Sequence, residues 1–129
     1  MNKNLEAVRA HYAASDAMDM AAMLAPVTAQ STWTEMAGFP YAGTYTGPDA
    51  LLNGVFARIG ADWDGFGFKL DRLVDGGDTI VAIGTYWGTC RRTSRKMQAR
   101  AVHVWEMAEG KLLRFEQFAD TKLVADAMA

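Results

Sequence analysis

The sequence predicts an α+β fold in which two to three N-terminal helices pack on one face of a single, mainly antiparallel sheet. Two observations carry this. Up to Ile59 most of the apolar residues recur at helical spacing, and beyond Gly65 they alternate along strand-like runs joined by tight glycine turns. Helices gathered at one end of the chain and hairpins at the other imply one helical layer on one sheet.

The elements follow in order. Leu5, Val8 and Tyr12 form one stripe of a helix over about Asn4 to Ser15, with His11 on its flank. Asp19 is placed to cap a short second helix carrying Met20, Met23 and Leu24, which Pro26 closes. From Val27 to Met36 the β-branched residues and Trp33 indicate a strand, on which Trp33 and Glu35 share a face because side chains alternate. The segment from Gly38 to Gly47 is too rich in Gly and Pro for regular structure and is expected to be a loop. Pro48 and Asp49 open a third helix with the stripe Leu51, Leu52, Val55, Phe56 and Ile59, which Gly60 is expected to end. Strands are expected from Gly65 to Asp71 and beyond, over Thr79 to Cys90, Met97 to Met107 and Lys111 to Phe118, with turns at Asp75–Asp78 and Ala108–Gly110. A short helix from Thr121 completes the chain. No linker, repeat or low-complexity tract divides residues 1–129, so one domain is expected.

The 129 residues carry a net charge of −2, with 50% hydrophobic and 22% charged residues. That balance argues against a nucleic-acid partner, which usually meets a basic face. The one basic cluster, Arg91, Arg92, Arg95 and Lys96, reads as a solvated hairpin turn. No apolar run reaches the roughly 20 residues that span a bilayer, so no membrane partner is expected. The lone Cys90 and the charged N-terminal sequence point to a cytoplasmic address. No metal-ligand set and no phosphate-binding glycine motif is present, so no metal or other cofactor is expected. The later strand runs are apolar on both alternations: Val81, Ile83 and Trp87 on one side, Ile80, Ala82 and Tyr86 on the other. One side covers the core, and the other predicts a homodimer through the outer sheet face.

Several stretches together resemble a known family: Trp33-Thr-Glu35 on a strand, Gly43-Thr-Tyr-Thr-Gly-Pro-Asp49, His103-Val-Trp-Glu-Met-Ala-Glu-Gly-Lys111 and Phe118-Ala-Asp-Thr121. Over nearly the whole chain this is similar to the SnoaL-like polyketide cyclases, of the superfamily of ketosteroid isomerase and nuclear transport factor two. The resemblance implies a cone-shaped, cystatin-like fold with a strongly curved sheet and a mostly apolar cavity at its open end. It also implies a cofactor-independent lyase, isomerase or cyclase moving protons on a small apolar carbonyl compound, or else a noncatalytic binding or dimerisation domain of the same shape.

Three residues are candidates for the chemistry. Glu35 falls where isomerase-like members keep a strand-borne general base; its alternative is a solvent-facing strand end. His103 suits proton shuttling, yet the gap-free match puts Val102 at the isomerase's oxyanion-hole Asp and leaves His103 on the opposite face unless a bulge intervenes. Asp120 is the closest match to the cyclases' acid–base Asp, and equally a helix cap. The candidate ligand-contacting residues are His11, Tyr12, Trp33, Tyr41, Trp87, Phe115 and Gln117. Because His11 and Val102 stand where the isomerase has its Tyr and its protonated Asp, steroid isomerisation is not expected.

Overall fold

A computed structural model describes residues 2–129. Its six strands form one curved, open sheet in the order β2-β1-β6-β5-β4-β3, antiparallel throughout except for β1 against β6. Helix α1 (Lys3–Asp16) is capped by Asn2, and α2 (Met20–Met23) by Asp19, whose carboxylate accepts from the Ala22 N–H. Strand β1 covers Val27–Glu35, and Ser31, Trp33 and Glu35 are its buried positions.

The glycine-rich segment departs from expectation. Gly43–Thr46 forms β2, paired antiparallel to Thr32–Glu35, because Thr44 and Tyr45 are good strand residues and the β1 edge is otherwise open. The third helical region also runs past Gly60. It comprises α3 (Pro48–Leu51), a π-helical turn (Leu52–Phe56) and α4 (Ala57–Asp62). Nothing lies near Gly60 to stop the helix, and Trp63 ends it by turning into extended backbone.

Strands β3 (Trp63–Asp75), β4 (Thr79–Cys90), β5 (Lys96–Ala108) and β6 (Lys111–Ala119) then build long hairpins. Along β5, Met97, Ala99, Ala101, His103, Trp105 and Met107 all point to the helix-covered face. That reverses the expectation drawn from the gap-free match: Val102 is on the outer side and His103 is on the inner one. No bulge is needed, since β5 runs in unbroken register with β4 and its one irregularity against β6 lies beyond, at Glu106/Met107.

The basic turn is not merely solvated. Arg92 and Arg95 donate to the Met128 and Asp126 carbonyls, and Thr93 donates to that of Ala127. These carbonyls belong to the last turn of α5 (Thr121–Met128), where helix carbonyls run short of intrahelical partners and positive charge is favoured. The core lies between α1, the π-turn and the inner sheet face, with Val8, Leu51, Val55, Trp63, Ile80, Trp105, Leu112 and Phe115 nearly inaccessible.

Candidate functional site

Glycine and alanine shape the floor of the cone. Ala82 and Ala101 are small residues of the inner face, and Gly84 between them is forced by contact: a Cβ there would meet the Lys69 carbonyl at 2.3 Å and the Phe68 ring at 2.6 Å. The space they leave is filled by Phe68, Tyr86 and His103.

His103 is the hub of a buried hydrogen-bonded chain. Its Nδ1 is 2.5 Å from the Tyr12 hydroxyl and its Nε2 is 2.6 Å from that of Tyr86. Trp105 Nε1 donates to the Tyr12 oxygen at 3.0 Å, and Gln117 Nε2 donates to the Tyr86 oxygen at 2.9 Å. Gln117 Oε1 in turn accepts from the Met36 N–H, which fixes which end of the amide faces Tyr86. Phe68 stacks on the imidazole at 4.5 Å and Phe115 lies 5.0 Å away. Burial, with a smaller contribution from His11, pulls the His103 pKa down to about 3, so the ring is neutral at physiological pH.

Across the cone lies Glu35. It is 4% exposed, yet its carboxyl accepts no hydrogen bond of ordinary geometry from the described residues. Burial pushes its pKa up to about 8, opposed by the Trp33 indole N–H. That N–H stands near enough to favour the carboxylate but lacks hydrogen-bond geometry to any acceptor, and Trp33 Nε1 is the one enclosed side-chain polar atom left unpaired among the described residues. The charge of Glu35 is felt at both Tyr12 and Tyr86, whose pKa values are raised, first by burial, well above the usual phenol range. Trp33 itself stacks on Phe115 at 3.5 Å and meets Phe56 and Trp105 edge-on.

The structure therefore brings Tyr12, Trp33, Glu35, His103, Phe115 and Gln117 into one cluster. His11 borders it, 4.7 Å from Trp105, but its Nδ1 donates to the Met23 carbonyl and ties α1 to α2; burial lowers its pKa to about 4. Three expected residues lie elsewhere. Tyr41 is buried, but its hydroxyl donates to Asp62 at 2.7 Å and accepts from Trp63, a separate network. Trp87 is on the outer sheet face, 48% exposed and folded over Gly67, because its position has the opposite alternation to Tyr86. Asp120 is exposed and caps α5, accepting from the Leu123 N–H. Tyr86 is the residue that sequence reasoning missed: it was read only as an apolar alternation partner, and its hydroxyl acquires a role through the register that sets it beside His103.

Phe39 and the half-buried Phe66 cover Tyr86 at 5.9 and 5.2 Å. Two surface clefts lie away from the cluster, one of about 640 Å³ beside Asn4, Gly77 and Glu109, the other of about 350 Å³ beside Asp62, Cys90 and Arg92. Neither has the enclosed, convergent polar groups that the cone interior holds. No trio of metal-ligating side chains is assembled among the described residues, and no described helix is long and apolar enough to cross a membrane.

A curved open sheet with helices on its concave side and polar groups held between them defines the class of NTF2-like, ketosteroid-isomerase-like α+β cones. Within that class the chain belongs to the SnoaL-like domain family, whose model matches residues 8–115. An NTF2-like protein of Burkholderia thailandensis superposes with a TM-score of 0.96 at 51% identity, covering 100% of this chain and 99% of the other. TerC, crystallised with polyporic acid, superposes with a TM-score of 0.86 at 25% identity over 98% of both chains. A curated relative, patulin synthesis protein F of Aspergillus clavatus, is 28% identical over 95 residues, 68% of this chain and 46% of that protein. The chain thus spans less than half the length of the curated relative it matches.

Proposed function

We propose that the chain is a cofactor-independent proton-transfer enzyme of the lyase, isomerase or cyclase type, acting on a small apolar carbonyl compound bound within the cone. The observation that carries this reading is Glu35, a buried carboxyl without a hydrogen-bonding partner whose pKa sits close to neutrality, facing two phenols across an aromatic enclosure. Glu35 takes a proton from the carbon beside the carbonyl, and a phenol of the tyrosine–histidine chain donates to the oxygen as it gains charge. Trp33, Phe115 and Phe68 hold the flat body of the substrate, which enters where Phe39 and Phe66 give way. The likeness to TerC and to a patulin synthesis protein supports a substrate of this kind.

The test is hydrogen–deuterium exchange at the α-carbon of model ketones, followed by NMR in heavy water. Glu35→Gln keeps the shape and should lower the protein-catalysed rate by about 10²–10⁴-fold. A wild-type rate no greater than that of solvent, with ligand binding retained, overturns catalysis and leaves a binding domain.

The same reading includes a homodimer. Val81, Ile83, Val102 and Val104 are only partly covered on the outer sheet face, beside the exposed Phe118 and Trp87. Sedimentation equilibrium at micromolar concentration should show a dimer that Val104→Arg dissociates.

A further inference from the structure

The hydrogen bonds around His103 can be counted, and the count leaves a proton over. Trp105 and Gln117 are fixed donors, one to each tyrosine oxygen. A neutral imidazole has one N–H and one bare nitrogen, so it donates to one tyrosine and accepts from the other. With the ring proton on Nε2, Tyr12 donates to Nδ1, His103 donates to Tyr86, and the Tyr86 hydroxyl proton is unspent. With the ring proton on Nδ1, Tyr86 donates to Nε2, His103 donates to Tyr12, and the Tyr12 proton is unspent. Either way one phenolic O–H has no acceptor within the chain, in a place where an idle buried donor is costly.

We propose that this spare O–H is the donor to the substrate oxygen, and that His103 is a positioning residue which moves it between Tyr86 and Tyr12 by changing tautomer. In the resting protein the spare proton belongs to Tyr86. Its ring lies under Phe39 and the half-buried Phe66, on the side where a ligand would arrive, whereas Tyr12 is wedged between His11, Phe68 and Trp105.

The proton balance closes. Tyr86 lends its O–H to the substrate oxygen as Glu35 takes the proton from carbon; when Glu35 returns that proton to carbon, the oxygen gives its share back to Tyr86. One turnover leaves Glu35, Tyr86 and the ring as they began, and the tautomer decides which phenol offers the spare O–H. The catalytic part rests on the proposed proton-transfer reading; the tautomer count does not.

The chain has only two histidines, so ¹⁵N-histidine labelling with long-range proton–nitrogen correlation reads both rings. His11, held by the Met23 carbonyl, is the internal reference with its proton on Nδ1. The expected result for His103 at pH 7 is a proton on Nε2 in the wild type and in Tyr86→Phe, where Tyr12 still donates to Nδ1, and on Nδ1 in Tyr12→Phe, where Tyr86 donates to Nε2; in each variant the other tautomer leaves a bare nitrogen unpaired as well as an idle donor. A ring that keeps one tautomer in the wild type and Tyr12→Phe, or that is doubly protonated, overturns the proposal, and a wild-type ring with its proton on Nδ1 overturns it without any variant. In the ketone exchange assay Tyr86→Phe should lower the rate by about 10²–10³-fold. If Glu35→Gln exchanges like the wild type while the tautomers switch as stated, the relay stands and the base is wrong. If the tautomers do not switch, the relay is wrong whatever the rates.

Discussion

The two walls of the cone treat polar groups in opposite ways. On the β5–β6 side every polar atom of Tyr12, His103, Tyr86 and Gln117 is engaged within a continuous chain, apart from the spare phenolic proton. On the β1 side the Trp33 indole N–H is enclosed without a hydrogen-bonding partner, and the Glu35 carboxyl, 4% exposed, has only the influence of that N–H to favour its charge. Saturated networks rigidify, whereas unsaturated buried groups are held at a cost and answer to a ligand or a proton. The first wall therefore sets geometry, and the second is where charge changes.

Breaking the saturated wall tests the comparison most directly. His103→Leu removes the hub and takes the acceptor from one phenolic O–H, while Trp105 and Gln117 still donate to the two tyrosine oxygens, so a loss of about 1–3 kcal/mol in chemical denaturation is expected. A loss within experimental error would mean that the hydroxyls find other partners and that the wall is not the rigid one.

Next comes the pH dependence of stability, where the walls pull in opposite directions. Glu35 has a folded pKa of about 8 against 4.5 unfolded, so between those values the unfolded chain ionises while the native state keeps its proton; stability falls as pH rises through this range and is level above it. His11 and His103 have folded values of about 4 and about 3 against 6.5 unfolded, so stability falls as pH drops below 6.5. Each group contributes up to about 1.4 kcal/mol per unit of pKa difference. Between about 4.5 and 6.5 the two histidines outweigh the one carboxyl, so stability still rises with pH there, and the optimum should lie near pH 6.5. Glu35→Gln should remove the alkaline decline in thermal unfolding and steepen the rise between about pH 4.5 and 6.5, where the carboxyl had opposed the histidines.

The smallest effect sharpens the comparison from outside. Asp120→Ala removes only a helix cap, so it should cost about 1 kcal/mol and leave ketone exchange unchanged. A large fall in exchange would move the site to the end of β6.

Residues whose role is set by alternation were legible in the sequence. Trp33 and Glu35 share a buried face because positions two apart in a strand must, and Asp19 and Asp120 cap because a short carboxylate before a helix can reach its free N–H groups. Roles set by register were not legible. That Tyr86 lies across from Ala99 and His103 across from Ala82 depends on the pairing of β4 with β5, which brings a tyrosine and a histidine 17 positions apart into contact. Tyr41 illustrates the limit on the other side: its burial was foreseeable, but the direction of its hydroxyl depended on Asp62 at the end of a helix that ran past its expected stop.

The place of β6 in the sheet bears on how the chain acquires its fold. The last strand made lies between the first and the fifth, and Val27–Thr34 meet Leu112–Glu116 across some 80 intervening positions. During synthesis the β1–β2 hairpin has one bare edge until nearly the whole chain has emerged, and the β3–β4–β5 meander has another. Closing so long a loop before any contact rewards it slows folding, which places this domain toward the millisecond-to-second end of the range for small proteins. Until β6 inserts, two open sheet edges are available to neighbouring chains, so yield on expression should depend more on temperature and chain concentration than native stability alone would suggest.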